Sequence, residues 1–409
     1  MEIRKKSPKK IWTKYFSYFF IIAIVIAGTF SFGYGVGKKG IDLPVPFVPT
    51  KVLNTDSGKP SNVDFSTFWE AWNKLNADSV DDLNPQDLVY GAISGMLGAV
   101  NDPYTVYLKP DENKRFMEDI SGEFEGIGVE ITEINGELTV VAPLPDSPAE
   151  KAGIKAKDVI LEVDGKKASD LGFEATIDKI RGKSGTSVEI LLKRTGAENI
   201  KISVTREKIK VPSVTYEIKE SGGKRFEVVT LRQFGDDTND LFDKAATDID
   251  KNKPDGVIID LRNNPGGYLD TAVNIASYLI DGGVIVSEVE KNNQKKDVKT
   301  VRRATLKNYP LVLLVNEGSA SASEILAGAV KDRGRGKIIG SKTFGKGSVQ
   351  ILENLSDNSA VKITIAKWLT PNGSQINKTG IQPDIEVADD PNSDSDPVLN
   401  KAFETLNNK

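Results

Sequence analysis

Two runs of apolar residues constrain the fold of this chain more than any other sequence feature. Residues 256–261 read GVIIDL, and residues 311–315 read LVLLV. Strands buried on both faces show nearly continuous apolar runs of this kind, whereas strands with one solvent face alternate. A turn follows each run, at residues 263–267 and 316–319, and a helical pattern follows each turn. Two such βα units predict an α/β layer whose loops gather at the carboxyl ends of the strands.

The region before residue 209 divides into two parts with different periodicity. Residues 61–120 are predicted to be helical, and the aromatic residues Phe68, Trp69 and Trp72 recur there at helical spacing. We expect these aromatic residues to belong to a core. Residues 121–208 instead show short strand-like runs separated by turn signals, with one amphipathic helix over residues 173–181. They predict a small β-rich domain.

The N-terminal residues predict a membrane anchor. Basic residues precede an uncharged stretch from Tyr15 to Gly37, and a bilayer core takes about 20 apolar residues. The heavier positive charge on the N-terminal side predicts a single-pass protein of the cell membrane, with residues 1–37 reaching from the cytoplasm and the body outside. A cleaved signal peptide is the alternative, with a small-residue site at Ala27. Residues 38–60 are proline-rich and predict an extended tether.

The absence of two residue types restricts the chemistry of this chain. It contains no cysteine and no histidine, which excludes disulfides, thiolate nucleophiles, a Ser-His-Asp triad and an HExxH metal site. The formal net charge of -4 gives no general attraction to nucleic acid. Any catalysis must therefore use Ser, Thr, Lys, Tyr, Asp or Glu, and we expect no cofactor and no metal.

Seven short motifs follow one another along the body of the chain. They are Asp102-Pro-Tyr104, Phe124-Glu-Gly-Ile-Gly128, Ser147 to Ile154 (SPAEKAGI) with Asp158-Val-Ile160, Asp260 to Gly267 (DLRNNPGG), Gly318 to Glu324 (GSASASE), Thr343 to Gln350 (TFGKGSVQ) and Gly380 to Asp384 (GIQPD). In this order they resemble the C-terminal processing peptidases, also called tail-specific proteases. The resemblance implies a PDZ domain at residues 121–208, a crotonase-like α/β peptidase core at residues 209–388, and a membrane-anchored serine endopeptidase of the Ser/Lys type.

The resemblance also implies a nucleophile and a base. Ser321 matches the nucleophile, at the start of a helix whose free N–H groups favour a developing oxyanion. By spacing alone Ser319 and Ser323 are equal candidates, and any of the three suits a helix N-cap. Lys346 matches the general base, which requires burial to lower a pKa that is ordinarily about 10.4. Without the resemblance, a lysine between two glycines is more often a solvated turn residue.

Three further parts of the catalytic site follow from the same resemblance. Gln350 would orient the lysine amine as the third group of a triad. The N–H groups of Gly267 and Ala322 would form an oxyanion hole, with Gly266 beside them in a loop that lets a substrate approach the backbone closely. Apolar neighbours of the lysine, namely Phe344, Val349 and Ile351, would supply the setting that lowers its pKa.

The β-rich domain would recognise a free C-terminal carboxylate on protein substrates. The turn at Gly126, Ile127 and Gly128 resembles the carboxylate-binding loop of PDZ domains, and the strand from Val129 would pair with an extended peptide. Arg181, at the end of the predicted helix, would place a positive charge near the peptide or near the catalytic domain. A solvated arginine is an equal reading.

Two other functions are weighed against the peptidase. The first is a catalytically silent, membrane-tethered PDZ adaptor, and the second is a crotonase-like enzyme of acyl thioesters, which would need neither the inserted PDZ domain nor the Lys346 motif. The sequence leaves open the substrates, the formation of a homo-oligomer and the need for an activating partner. Residues 389–409 are predicted to be a polar, frayed tail.

Overall fold

The structure is a computed structural model that describes residues 62–134, 136–388 and 395–408. The predicted membrane anchor and the predicted tether, residues 1–37 and 38–60, lie outside these residues. Among the helices that the structure describes, none is long and apolar enough to cross a bilayer. The chain divides into two compact units, Met1–Leu83 and Asn84–Lys409.

The described part of the first unit holds one helix, α1 (Ser66–Asp78). The rings of Phe68 and Trp69 meet edge to face with their centroids 4.8 Å apart, and Trp72 contacts both. No residue of α1 is buried, so the expectation that these aromatic residues form a core is wrong for the described residues. A helix buries one face only where another element packs against it, and here the rings contact one another.

The second unit begins with helices and the β-rich domain. In chain order its elements are α2 (Pro85–Gly98), β1 (Val106–Leu108), α3 (Pro110–Ser121), β2 (Glu123–Gly126), β3 (Val129–Ile134), β4 (Glu137–Pro143), α4 (Pro148–Lys151), β5 (Val159–Val163), β6 (Lys166–Lys167), α5 (Ala168–Leu171), α6 (Phe173–Ile180), β7 (Ser187–Lys193), β8 (Ile200–Thr205) and β9 (Glu207–Lys210). The antiparallel sheet β3-β4-β5-β7-β8 encloses its own apolar core, to which α6 contributes Ile180. Strands β2 and β9 pair with each other, so the chain enters and leaves this domain side by side, as expected for an insertion.

The remaining elements form the α/β layer and a second sheet. They are β10 (Val214–Ser221), β11 (Lys224–Leu231), α7 (Thr238–Asn252), β12 (Gly256–Asp260), α8 (Leu269–Leu279), β13 (Val284–Glu290), β14 (Lys295–Lys299), β15 (Leu311–Val315), α9 (Ala322–Asp332), β16 (Lys337–Gly340), β17 (Ser348–Asn354), β18 (Ala360–Leu369), β19 (Ile385–Glu386) and α10 (Pro397–Asn407). A short 3₁₀ turn, Lys291–Asn293, joins β13 to β14.

The two apolar runs of the sequence are neighbouring strands at the centre of the main sheet. Its order is β10-β11-β12-β15-β16-β19, parallel from β11 onward. Helices α7, α8 and α9 cover one face, where Ile259 lies, and α10 covers the other, where Ile258 lies. Both strands are therefore buried on both sides, which explains why their sequences do not alternate.

A second sheet brings distant segments to the edge of the α/β layer. It has the order β1-β18-β13-β14, with β17 also paired to β18, and its pairings are antiparallel. Strand β1 lies before the inserted domain in the chain and β18 lies about 250 residues later. This sheet therefore places the turn before β1 beside the segment that leads into β17.

The predicted frayed tail is wrong for residues 397–407, which form α10. Asp396 caps the helix by accepting a hydrogen bond from Leu399 N–H at 2.9 Å, and Pro397 occupies its first turn. The buried residues of α10 lie at helical spacing and pack on the main sheet; they are Val398, Ala402, Phe403 and Leu406. The polar composition of the tail obscured this apolar stripe.

Candidate active site

Ser321 lies in a strained turn between β15 and α9. Its backbone has φ 53° and ψ -112°. Residues other than glycine rarely adopt a positive φ of this kind. The turn is held in this conformation because the Ser321 carbonyl accepts hydrogen bonds from the N–H groups of Glu324 at 2.9 Å and Ile325 at 3.0 Å. Strain that is held by surrounding bonds is typical of functional residues.

The structure separates the three serines that sequence spacing leaves equal. Ser319 and Ser323 are fully buried. Their hydroxyls donate to the backbone carbonyls of Leu261 at 2.7 Å and Asn264 at 2.9 Å. Ser321 keeps partial exposure to solvent, and within the described residues its hydroxyl donates to no acceptor. Of the three, Ser321 therefore has the geometry of a nucleophile.

The loop after β12 packs directly on Ser321. A Cβ on Gly266 would lie 2.8 Å from Ser321 Cβ and 2.9 Å from Ala322 N, and Gly266 has φ 105°, so only glycine fits. The N–H groups of Gly267 and Ala322 donate to no acceptor in the described part of the chain, and Gly267 is exposed. These two N–H groups are available to an oxyanion.

Gly266 has no free N–H group to offer an oxyanion. Its N–H donates to Asn264 Oδ1 at 2.9 Å, and its carbonyl accepts from Phe234 N–H at 2.8 Å. Gly266, which the resemblance places in the oxyanion hole beside Gly267 and Ala322, therefore supplies no free N–H group there, and its role is to permit close approach. Asn264, which the sequence analysis did not single out, shapes the loop because its side chain also donates to the Leu231 carbonyl at 2.8 Å.

Lys346 lies in the turn that precedes β17 and is partly buried. Burial, followed by the Lys362 ammonium, lowers the pKa of its amine to about 8, against the opposing effect of the carboxylates of Glu324 and Asp102. Among the described residues, the amine donates no hydrogen bond and forms no ion pair. A base that must be neutral to accept a proton near physiological pH requires a depressed pKa of this kind.

The expected apolar setting of Lys346 is only partly correct. Phe344 and Ile351 are 58% and 40% exposed, so they do not enclose the amine, whereas Val349 packs against the main core. The nearest aromatic contact is instead the ring of Tyr104, whose centroid lies 5.0 Å from Lys346 Nζ. That residue belongs to the first of the seven motifs and was given no role there.

Glu324 joins the nucleophile turn to the lysine turn. One carboxylate oxygen accepts from the backbone N–H groups of Ser321 and Lys346, both at 2.9 Å. The other oxygen accepts from Thr343 Oγ1 at 2.6 Å and from Gly345 N–H at 2.7 Å. This fully buried carboxylate fixes the two turns against each other. The sequence signal for this role is a capping-box spacing, with glutamate three residues after serine.

Gln350 does not contact the lysine amine in this structure. Its Nε2 donates to Ser348 Oγ at 2.8 Å and to Thr364 Oγ1 at 3.1 Å. A register shift between β17 and β18 occurs at this residue, so the strand does not simply return Gln350 to the face of Lys346. Among the described residues, Gln350 is therefore linked to Ser348 and Thr364 and not to the amine.

The predicted carboxylate-binding loop joins β2 to β3. Gly128 has φ 73°, and a Cβ there would lie 2.5 Å from the Cβ of Ser147, so glycine is required. The N–H groups of Ile127 and Gly128 donate to no acceptor among the described residues, as a nest for a terminal carboxylate requires. Val129 begins β3 at the edge of the domain's sheet, where an extended peptide can add as a strand.

Arg181 is engaged by the acidic end of α3. Its guanidinium nitrogens lie 3.9 Å from a Glu118 oxygen and 3.5 Å from an Asp119 oxygen, and it stacks over Phe124 at 5.2 Å. The structure therefore places its charge against the helix that precedes the inserted domain, a contact that was not among the locations expected for it.

Three family models match the chain. Their descriptions are peptidase family S41 for residues 226–387, PDZ domain for residues 139–194, and activating protease CtpB N-terminal domain for residues 49–112.

The chain is also similar to curated bacterial proteins. It is 37% identical over 338 residues to the carboxy-terminal processing protease CtpA of Bacillus subtilis, covering 83% of this chain and 72% of that protein. It is 42% identical over 320 residues to a probable CtpA-like serine protease of Staphylococcus haemolyticus, covering 78% and 64%. The chain thus spans about two thirds of the length of these relatives.

Among solved structures, the chain resembles a photosystem II D1 C-terminal processing protease. The two are 33% identical with a TM-score of 0.51, and the match covers 78% of this chain and 86% of the other.

Proposed function

This chain belongs to peptidase family S41 and to its C-terminal processing proteases, and from that premise we propose that it is a membrane-anchored serine endopeptidase that selects proteins by their C-terminal tails. The observation that carries the proposal is the Glu324 carboxylate, because one of its oxygens accepts from both Ser321 N–H and Lys346 N–H. The partly exposed serine and the lysine of depressed pKa are thereby held in one site. Ser321 acts as nucleophile and Lys346 as base.

The proposed reaction proceeds through an acyl-enzyme. Neutral Lys346 accepts the Ser321 hydroxyl proton as Oγ attacks the peptide carbonyl, and the N–H groups of Gly267 and Ala322 stabilise the oxyanion. The C–N bond then breaks, and Lys346 gives its proton to the departing amine. A water molecule, deprotonated by Lys346, then attacks the ester carbonyl, and Lys346 returns the proton to Ser321 Oγ as the C–Oγ bond breaks. Gln350 supports the base through Thr364, because the Gln350 side-chain amide donates a hydrogen bond to the Thr364 hydroxyl at 3.1 Å.

Substrate choice is proposed to depend on the free C-terminal carboxylate. The unpaired N–H groups at Ile127 and Gly128 would bind it, and the β3 edge would hold the preceding residues as an added strand. A substrate with an amidated C-terminus should bind less well, because an amide lacks the charge and one acceptor. If the amidated peptide is cleaved as fast as its free-acid twin, this part of the proposal is wrong.

Membrane attachment is proposed from the uncharged stretch between Tyr15 and Gly37. The full chain should stay with the membrane after a carbonate wash, and a chain lacking residues 1–37 should be released. Sequencing the N-terminus of the mature protein separates a retained anchor from a cleaved signal peptide. A mature N-terminus just after Ala27 would overturn the anchor.

The test of the catalytic proposal compares four forms of the full chain on an unfolded protein with an apolar free C-terminus. Wild type should cleave it, and Ser321→Ala and Lys346→Ala should not. Lys342→Ala is the matched control, because Lys342 is an exposed lysine four residues before the proposed base, and it should cleave like wild type. Activity in either Ser321→Ala or Lys346→Ala refutes the assignment. If wild type binds the tail and never cleaves, the adaptor is the better description.

A further inference from the structure

The turn formed by residues 102–105 reaches the proposed base from a distant part of the chain. It immediately precedes β1, whose Val106 pairs with Lys362 of β18. The Tyr104 ring centroid lies 5.0 Å from Lys346 Nζ. This distance lies within the range in which a cation is attracted by an aromatic face. The mechanism described above uses no residue of this turn.

The turn is built around the Asp102 carboxylate. It accepts from Tyr104 N–H at 3.2 Å and from Thr105 Oγ1 at 2.7 Å. Thr105 is 5% exposed, and its hydroxyl in turn accepts from Thr364 N–H at 3.1 Å. The turn is therefore tied to β18 and has little freedom to move away from the lysine.

The same carboxylate is linked to Gln350. The Thr364 side chain hydrogen-bonds to Asp102, and its hydroxyl accepts from Gln350 Nε2 at 3.1 Å. A connected series therefore runs from Gln350 through Thr364 to Asp102, the carboxylate that interacts electrostatically with Lys346. In the absence of a direct contact between Gln350 and the amine, this series is the route by which Gln350 acts.

Charged groups of both signs interact electrostatically with the lysine amine. The carboxylates of Asp102, from the turn, and Glu324, from α9, favour its protonated form, whereas the ammonium of Lys362, from β18, disfavours it. Lys362 is itself partly buried and lies over the ring of Phe116, with its Nζ 5.2 Å from the centroid. Two ammonium groups near each other in a partly dry site repel.

We infer that Asp102 and Tyr104 are positioning residues for Lys346, and that Lys362 opposes them. The ring face and the carboxylate hold the amine in place and stabilise the ammonium that forms when Lys346 takes the Ser321 proton. Lys362 keeps that ammonium from becoming too stable to pass its proton to the departing amine. This inference rests on the proposed role of Lys346 as the base.

The test is the pH dependence of kcat/KM for the full chain, because its acid limb reports the base of the free enzyme. Asp102→Asn should move the midpoint down by about half to one pH unit, and Tyr104→Leu by about half a unit. Lys362→Met should move it up by a similar amount, since a repelling charge is removed. Tyr104→Phe keeps the ring face and should leave the midpoint unchanged, as should the exposed control Lys342→Met. A merely structural role would lower the rate and leave the midpoint in place.

A second measurement separates this inference from the proposed function. In a Ser321→Ala background, the reaction of Lys346 with acetic anhydride across pH, read by mass spectrometry, gives the pKa of the amine without any turnover. Opposite shifts for Asp102→Asn and Lys362→Met support the inference. Shifts in the same direction, or none, overturn it even where Lys346→Ala is inactive. Turnover by Lys346→Ala instead overturns the proposed function.

Discussion

Replacing the proposed base should make the protein more stable, because the lysine is held against its own preference for water. Burial, followed by the charge of Lys362, lowers the pKa of Lys346 from its usual 10.5 to about 8. Each unit of pKa difference between the folded and unfolded states corresponds to about 1.4 kcal/mol, so complete burial would cost about 3 kcal/mol near pH 7. Since Lys346 retains solvent contact, screening reduces this to about 1–2 kcal/mol. Lys346→Met should gain that amount.

The pH dependence identifies the origin of the gain. Below about pH 8 the amine carries its proton in both states, so the penalty is complete. As the pH rises from about 8 towards 10.5, the folded protein releases this proton first and the penalty fades. The gain from Lys346→Met should therefore fall to less than half its value at about pH 9.5.

The measurement is urea unfolding of the full chain in a Ser321→Ala background, which prevents self-cleavage. Ser321→Ala/Lys346→Met is compared with Ser321→Ala at about pH 7 and about pH 9.5. Ser321→Ala/Lys342→Met serves as the control, because Lys342 is exposed. An equal gain at the two pH values would assign the effect to packing, and no gain at pH 7 would show that the amine is not desolvated. Either result refutes the reasoning.

Three further predictions follow from contacts of the site and the core. Glu324→Gln should destabilise the fold by about 1–3 kcal/mol, because an amide NH2, which cannot accept a hydrogen bond, then replaces one carboxylate oxygen and faces its donors. It should also reduce kcat at least about 100-fold, because the two turns are no longer held together. Unchanged kcat and melting temperature would contradict this. Gly266→Ala should abolish cleavage without unfolding the protein, because the added methyl would lie 2.8 Å from Ser321 Cβ. The control is Gly91→Ala in helix α2, where an added methyl would meet no atom within 4 Å, and it should cleave normally. Burial, followed by the charge of Asp248, raises the pKa of Glu227 to about 7, so its stability cost grows as the pH rises from 4.5 to about 7. Glu227→Gln should stabilise the protein above pH 7 by about 2 kcal/mol and leave it little changed near pH 4; the same gain at both pH values would be contrary to this account.

The main sheet was accessible from sequence because its strands carry a local signal. The predicted run at residues 311–315 has the same bounds as β15, and the run at residues 256–261 matches β12 to within one residue. Burial on both faces produces a run that needs no partner to be recognised. The helix α10 had an equally local signal in its apolar stripe, which composition obscured.

The candidate site depends on contacts that are remote in sequence and was only partly accessible. The choice of Ser321 over its neighbours follows from where the hydroxyls of Ser319 and Ser323 point, which spacing does not encode. The surroundings of Lys346 come from α9, β18 and the turn before β1, joined by pairing over about 250 residues. The expectation that apolar sequence neighbours enclose the amine was only partly correct for this reason, because Lys346 lies in a turn whose surroundings come from distant elements.

The central claim is that Ser321 forms an acyl-enzyme with its substrate, and mass spectrometry of an acid-quenched reaction tests it most directly. The full chain is mixed with an unfolded protein that ends in an apolar free carboxylate, quenched within the first turnovers and digested. The account predicts a substrate fragment esterified to the peptide that contains Ser321, and no such adduct in Ser321→Ala. An adduct on another residue, or steady cleavage by Ser321→Ala, would contradict it.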